Sequence, residues 1–126
     1  MRAVDAHILL RLIARDDRKQ VESAEEFVAH GAWVSHVVLA DAAWHLGSDY
    51  GLNAEQIALA VEMLLNHAQL TIQDADVVET ALKNFRARPA LGFLDHLIVE
   101  IARKSGHAPL GTFDRDLAKV EGVQRL

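Results

Sequence analysis

Apolar residues recur along this chain in two alternating rhythms: short continuous runs, and longer stretches in which they return every third or fourth position. The first rhythm predicts buried strands and the second amphipathic helices. Residues 2–4 read as a brief buried strand that ends on Asp5, followed by helices over 8–14 and 21–30, the second closed by Gly31. A second strand over 33–35 leads to Ser35 as N-cap of a helix over 37–46, with Gly47 and Gly51 as breakers. Asn53 caps a helix over 55–67, residues 70–72 form a third strand, and Asp74 starts a helix over 77–86 that stops before Pro89. A helix over 94–104 ends at Gly106. A fourth strand over 109–112 runs into Phe113 and Asp114, and residues 123–126 supply a fifth. Strands alternating with helices of about ten residues predict an α/β fold, a parallel sheet covered by helices on both faces, in one domain over residues 1–126.

Composition narrows the function. With 51% hydrophobic residues in 126, the chain can bury one sizeable core and is too short for two ordinary domains. A formal charge of −5 excludes a protein that grips nucleic acid through a strongly basic face. A divalent cation in an acidic pocket would reverse the local sign and admit a phosphate. The absence of cysteine excludes disulfides, thiolate zinc sites and cysteine nucleophiles, and fits a reducing cytoplasm. The amino terminus meets Asp5 almost at once, and no apolar run reaches membrane-spanning length, so a cytoplasmic protein without membrane association is expected.

Four carboxylates stand where solvation alone would not put them. Asp5 and Asp114 end strands, and in open α/β sheets ligands bind beyond the carboxyl ends of the strands. Asp41 lies within a helix with Val37, Val38, Trp44 and His45 one turn away, which predicts an inward acid needing a cation, a donor or a shared proton. Asp95 opens its helix on the side of Ile98, Val99 and Ala102, where unpaired backbone N–H groups favour the ionised form. Taken singly, Asp5, Asp95 and Asp114 are better explained as caps than as functional acids. Taken together, their repulsion calls for Mg²⁺ or Mn²⁺, and carboxylates, hard ions and water point to phosphodiester hydrolysis. Arg86, Arg88 and Arg115 are candidates for meeting a phosphodiester backbone, although ordinary solvated charge is the stronger explanation for any one of them; Trp33, Trp44 and Phe93 are expected in the core.

The run Met1-Arg2-Ala3-Val4-Asp5, then Leu10-Arg11-Leu12 and Arg15-Asp16-Asp17, resembles the start of VapC-type PIN-domain toxins. So do Val34-Ser35-His36-Val37-Val38-Leu39, Tyr50-Gly51-Leu52, Phe93-Leu94-Asp95 and Thr112-Phe113-Asp114-Arg115-Asp116-Leu117, in consistent order along the chain. The resemblance implies a ribonuclease whose catalytic acids are Asp5, Asp41, Asp95 and Asp114, with metal held by Asp5, Asp95, Asp114 and Asp116. It also implies a sheet order of 3-2-1-4-5, an RNA substrate, a homodimer, and a VapB-like antitoxin seated on an apolar groove between the early helices. The chain departs from the family pattern at Asp5-Ala6-His7, where Asp-Thr-Asn is usual. It has Asp41 where Glu is usual, and His96 where a small residue is common. His7 and His96 could add imidazole ligands and favour Mn²⁺; the other histidines show no ligand spacing. These departures open a second reading, a catalytically weakened PIN domain that binds antitoxin or RNA.

Overall fold

The alternation of strands and helices is present: β1 (Arg2–Ala3), α1 (Ala6–Ala14), α2 (Arg18–Val28), β2 (Ala32–Val34), α3 (His36–Ser48), α4 (Ala54–Leu65), β3 (Leu70–Ile72), α5 (Ala75–Ala87), α6 (Phe93–Lys104), β4 (Leu110–Thr112) and β5 (Val123–Arg125). The computed structural model describes every residue from Met1 to Leu126 and resolves into two compact units, Met1–Ala75 and Asp76–Leu126. One 3₁₀ turn, Leu117–Lys119, precedes β5 and has no counterpart in the sequence pattern.

All strand pairs are parallel. In the first unit β1 pairs with β2 (Ala3 opposite Trp33) and β2 with β3 (Val34 opposite Ile72); in the second, β4 pairs with β5 (Gly111 opposite Gln124). The expected neighbours 3-2-1 and 4-5 are therefore found, but as a three-stranded and a two-stranded sheet rather than one sheet of five. The strands are two or three residues long, so each ladder holds few hydrogen bonds. β1 is cut short because the chain leaves it to enter α1: Val4 N still donates to Trp33 O, and the next residue, Asp5, already caps the helix. β1 is also less buried than its apolar sequence predicts, with Arg2 and Ala3 exposed and burial beginning at Val4.

The helix starts follow from local chemistry. Ser35 Oγ accepts from Val38 N, and Asn53 with Gln56 closes a reciprocal capping box. Asp17 caps α2 through Gln20 N, which starts that helix at Arg18 rather than at the apolar residue Val21. Gly31, at φ 92°, makes the left-handed turn into β2 that a β-carbon would strain. In the first unit α1 packs on α2 and α3, and α3 on α4. Their inner faces bury Leu9, Leu39, Leu46, Val61 and Leu64, each contributing about 1.5–3 kcal/mol relative to exposure. In the second unit Phe85 meets Phe93 edge-on at 5.9 Å, and Leu91, Val99 and Leu117 form a cluster backed by Leu110, Val120 and Val123. No helix is long and apolar enough to cross a membrane.

Candidate active site

Asp5 stands at the carboxyl end of β1 and at the head of α1. Its Oδ1 accepts from the backbone N–H of His7 (3.0 Å) and Ile8 (3.3 Å), while His7 Nδ1 lies 3.2 Å from Oδ2. The cap and the strand end are thus one residue, and the carboxylate is held in place with its side chain still 67% exposed. The hydrogen bond from His7 holds its carboxyl below the ordinary value of 3.8, helped by the Ile8 N–H and opposed by its slight burial.

Asp41 does not point inward. Its side chain is 55% exposed, one turn before His45, whose Nε2 lies 3.4 Å from Asp41 Oδ1 and whose Nδ1 bonds Asp49. The neighbouring Val37 and Trp44 are exposed too, so the apolar face that predicted an inward acid is an outer face of α3, and Trp44 is not a core residue. Trp33 is also partly exposed because β2 alternates, turning Ala32 and Val34 inward, whereas Phe93 is buried as expected. The ring centres of His7 and His45 are 6.5 Å apart, so an Asp5–His7–His45–Asp41 series links the head of α1 to α3. His45 was not a sequence candidate; its spacing of four from both Asp41 and Asp49 on one helix is the signal that could have found it.

In the second unit, Asp95 occupies the first turn of α6, half-buried and without a protein partner. It is not the cap: that position is Gly92. Asp114 precedes the 3₁₀ turn, its Oδ1 accepting from Asp116 N (2.8 Å) and Leu117 N (2.9 Å), which leaves Oδ2 unpartnered. Asp116 is exposed, with Lys119 Nζ 3.5 Å away. His96 is 2% exposed and gives Nε2 to Arg88 O at 3.1 Å, so it is a core residue rather than an imidazole ligand beside Asp95. Glu100 escaped the sequence reading. It is buried, its Oε1 accepting from Asn84 Nδ2 (3.2 Å) and pairing with Arg103 (3.4 Å).

Other residues in the motifs are structural. Arg11 bonds Asp16 (2.7 Å) and the Tyr50 hydroxyl (2.9 Å), tying α1 to the loop after α3. Within neither unit do three or more His, Asp or Glu side chains form a ready-made ion-binding group. The oxygens left without protein donors, both of Asp95 and Oδ2 of Asp114, are hard ligands of the kind Mg²⁺ or Mn²⁺ takes.

The family model of the PIN domain matches residues 2–123, nearly the whole chain. Comparison with curated proteins and with solved structures finds no match.

Proposed function

Because the chain belongs to the PIN-domain family, a family of nucleases that generally use divalent metals, we propose that it is a metal-dependent endoribonuclease and the toxin member of a VapBC-type pair. The observation that carries this reading is that the family match takes in every candidate acid, from Asp5 to Asp116. In this reading residues 1–126 work as one domain with the sheet order 3-2-1-4-5. Asp5, Asp95 and Asp114 would hold Mg²⁺ or Mn²⁺, with Asp116 assisting, and the bound ion would supply a water of lowered pKa and charge for the phosphate. Asp5 brings a carboxylate kept ionised and fixed by the head of α1. Asp95 brings one with no competing protein donor, and Asp41, steadied by His45, would take the proton of the attacking water.

The antitoxin's seat in this proposal is the cavity of about 490 Å³ among α1, α2 and α4, lined by Leu12, Val28 and Met63 among others, with Leu59 exposed on the same helix as Met63. The exposed Val37 and Trp44 of α3 suit a second copy in a homodimer. The test is cleavage of total RNA with Mg²⁺ or Mn²⁺, the wild type against Asp5→Asn. Metal-dependent cleavage lost in the variant supports the reading, and equal cleavage by both overturns it.

One observation favours the second reading, a weakened PIN domain that binds without cutting. His7 occupies the Asp5 oxygen that an ion would need, and Asp41 is taken by His45. Tight antitoxin binding with no cleavage under either metal would decide for it.

A further inference from the structure

We propose that the second unit carries a mononucleotide-binding cavity, separate from the candidate catalytic acids, that recognises a guanine nucleotide. A cavity of about 350 Å³ opens among α5, α6 and the turn before β5, at the small end of the roughly 300–1,000 Å³ of ligand pockets. None of Asp95, Asp114 and Asp116 lines it. Along α6, His96, Glu100 and Arg103 recur on one helical face, whereas Asp95 shares its side with Ile98 and Ala102.

The lining is of mixed charge, and the mixture defines the ligand. Glu100 is buried with Oε1 engaged by Asn84 and Arg103, while Oε2 has no protein donor. A carboxylate oxygen without a protein donor on a residue that lines a cavity is open to an N–H or O–H from a ligand. His96 also lines the cavity. Its Nε2 faces a carbonyl and so carries the proton, which leaves the buried Nδ1 an acceptor without a partner. Around these acceptors stand Arg88, whose guanidinium has no protein partner, Lys119, loosely paired with Asp116 at 3.5 Å, and Arg103.

A simple anion would meet Glu100, and a simple cation would meet Arg88, Arg103 and Lys119. The arrangement suits a ligand with a donor edge at one end and a phosphate at the other. Among the bases, guanine presents two adjacent donors, N1–H and the 2-amino group, to the two oxygens of one carboxylate. Uracil flanks its N–H with carbonyls that a carboxylate repels, and adenine and cytosine set ring-nitrogen acceptors beside their amino groups. The phosphate would lie against Arg88 and Lys119. The same chemistry is offered by free guanosine monophosphate and by an unpaired guanosine in an RNA strand.

The inference stands apart from the nuclease reading, so its test omits metal. Titrate the ¹⁵N-labelled full chain in EDTA with 5′-GMP, 5′-AMP and inorganic phosphate, following amide shifts and affinity. GMP should bind at least about tenfold more tightly than AMP or phosphate, with shifts centred on Thr80, Asn84, His96 and Glu121. Arg88→Ala/Lys119→Ala, two exposed positions, should weaken GMP at least tenfold. Glu100→Gln should remove the preference over AMP if it folds; the double variant decides the question if it does not. Absence of saturable GMP binding, shifts centred elsewhere, equal binding of phosphate and GMP, or an unaffected double variant would each overturn the proposal. Displacement of GMP by a short unpaired oligoribonucleotide holding one guanosine assigns the site to an RNA strand, and persistence of GMP assigns it to the free nucleotide. Loss of cleavage in Asp5→Asn is independent of every arm.

Discussion

The two units hold their acids in opposite ways. In the first, Asp5 and Asp41 each share a carboxylate with an imidazole, and the two imidazoles lie near each other. In the second, Asp95 has no protein partner and Asp114 spends one oxygen on a backbone turn and keeps the other. An acid already paired is ionised and oriented but partly occupied, whereas an unpaired one is available to an ion at the cost of having nothing to neutralise it. The difference teaches that the departure at His7 acts on Asp5 in two ways, favouring its charged form and occupying one of its oxygens.

The largest effect should come from the unpaired side. Asp95→Asn keeps the shape and removes the charge, and in the nuclease reading RNA cleavage should fall by at least about a hundredfold. Its melting temperature should stay level or rise, since Asp95 is not the cap of α6. Gel-based cleavage beside a thermal melt checks both, and a clear loss of melting temperature would return Asp95 to a structural role.

On the paired side, His7→Ala frees Asp5 Oδ2. Calorimetric Mn²⁺ affinity should rise by up to about tenfold, within the range that neighbours of metal ligands command. A fall instead would make His7 itself a ligand and would reverse the comparison.

Next in size is the cap. Asp5→Ala should cost about 1 kcal/mol by chemical denaturation, while Asp5→Asn should cost much less because Asn caps equally well. The pH dependence follows from the lowered pKa of Asp5. Its charged form is favoured in the fold, so its contribution is fully present above 3.8 and is lost as pH falls through its lower folded value. The stability gap between wild type and Asp5→Asn should therefore narrow on acidification below about pH 4. A gap constant down to pH 2 would deny the His7 contact.

The smallest effect is expected at Asp41. Because its side chain is exposed, Asp41→Glu adds a methylene to solvent rather than to a packed core and should move the melting temperature by no more than about 1 °C. In the nuclease reading it keeps or raises cleavage, and Asp41→Ala abolishes it with antitoxin binding intact. A destabilised Asp41→Glu together with undiminished cleavage in Asp41→Ala would remove Asp41 from the catalytic set.

Much of this was legible in the chain. Ser35 and Asn53 mark their helices because capping needs only a short polar side chain and an N–H two or three residues on, a local relation. Strand positions 70–72 and the parallel sense of the strands followed from runs of apolar residues alternating with helices, whereas the neighbours 3-2-1 and 4-5 came from the family resemblance. Which face of α3 looks outward was not legible. Val37 and Trp44 are apolar yet exposed, and periodicity reports an apolar stripe without saying what covers it. Nor was Glu100, an ordinary acid in an amphipathic helix until Asn84 and Arg103 are brought to it across 16 and 3 residues. Local sequence fixed the caps, the helix periods and the acids at the strand ends, since those depend on neighbours within a turn. Only tertiary packing decided that His7 and His45 meet, that Asp41 faces solvent and that Glu100 is buried, because burial and long-range pairing depend on what the rest of the chain places alongside.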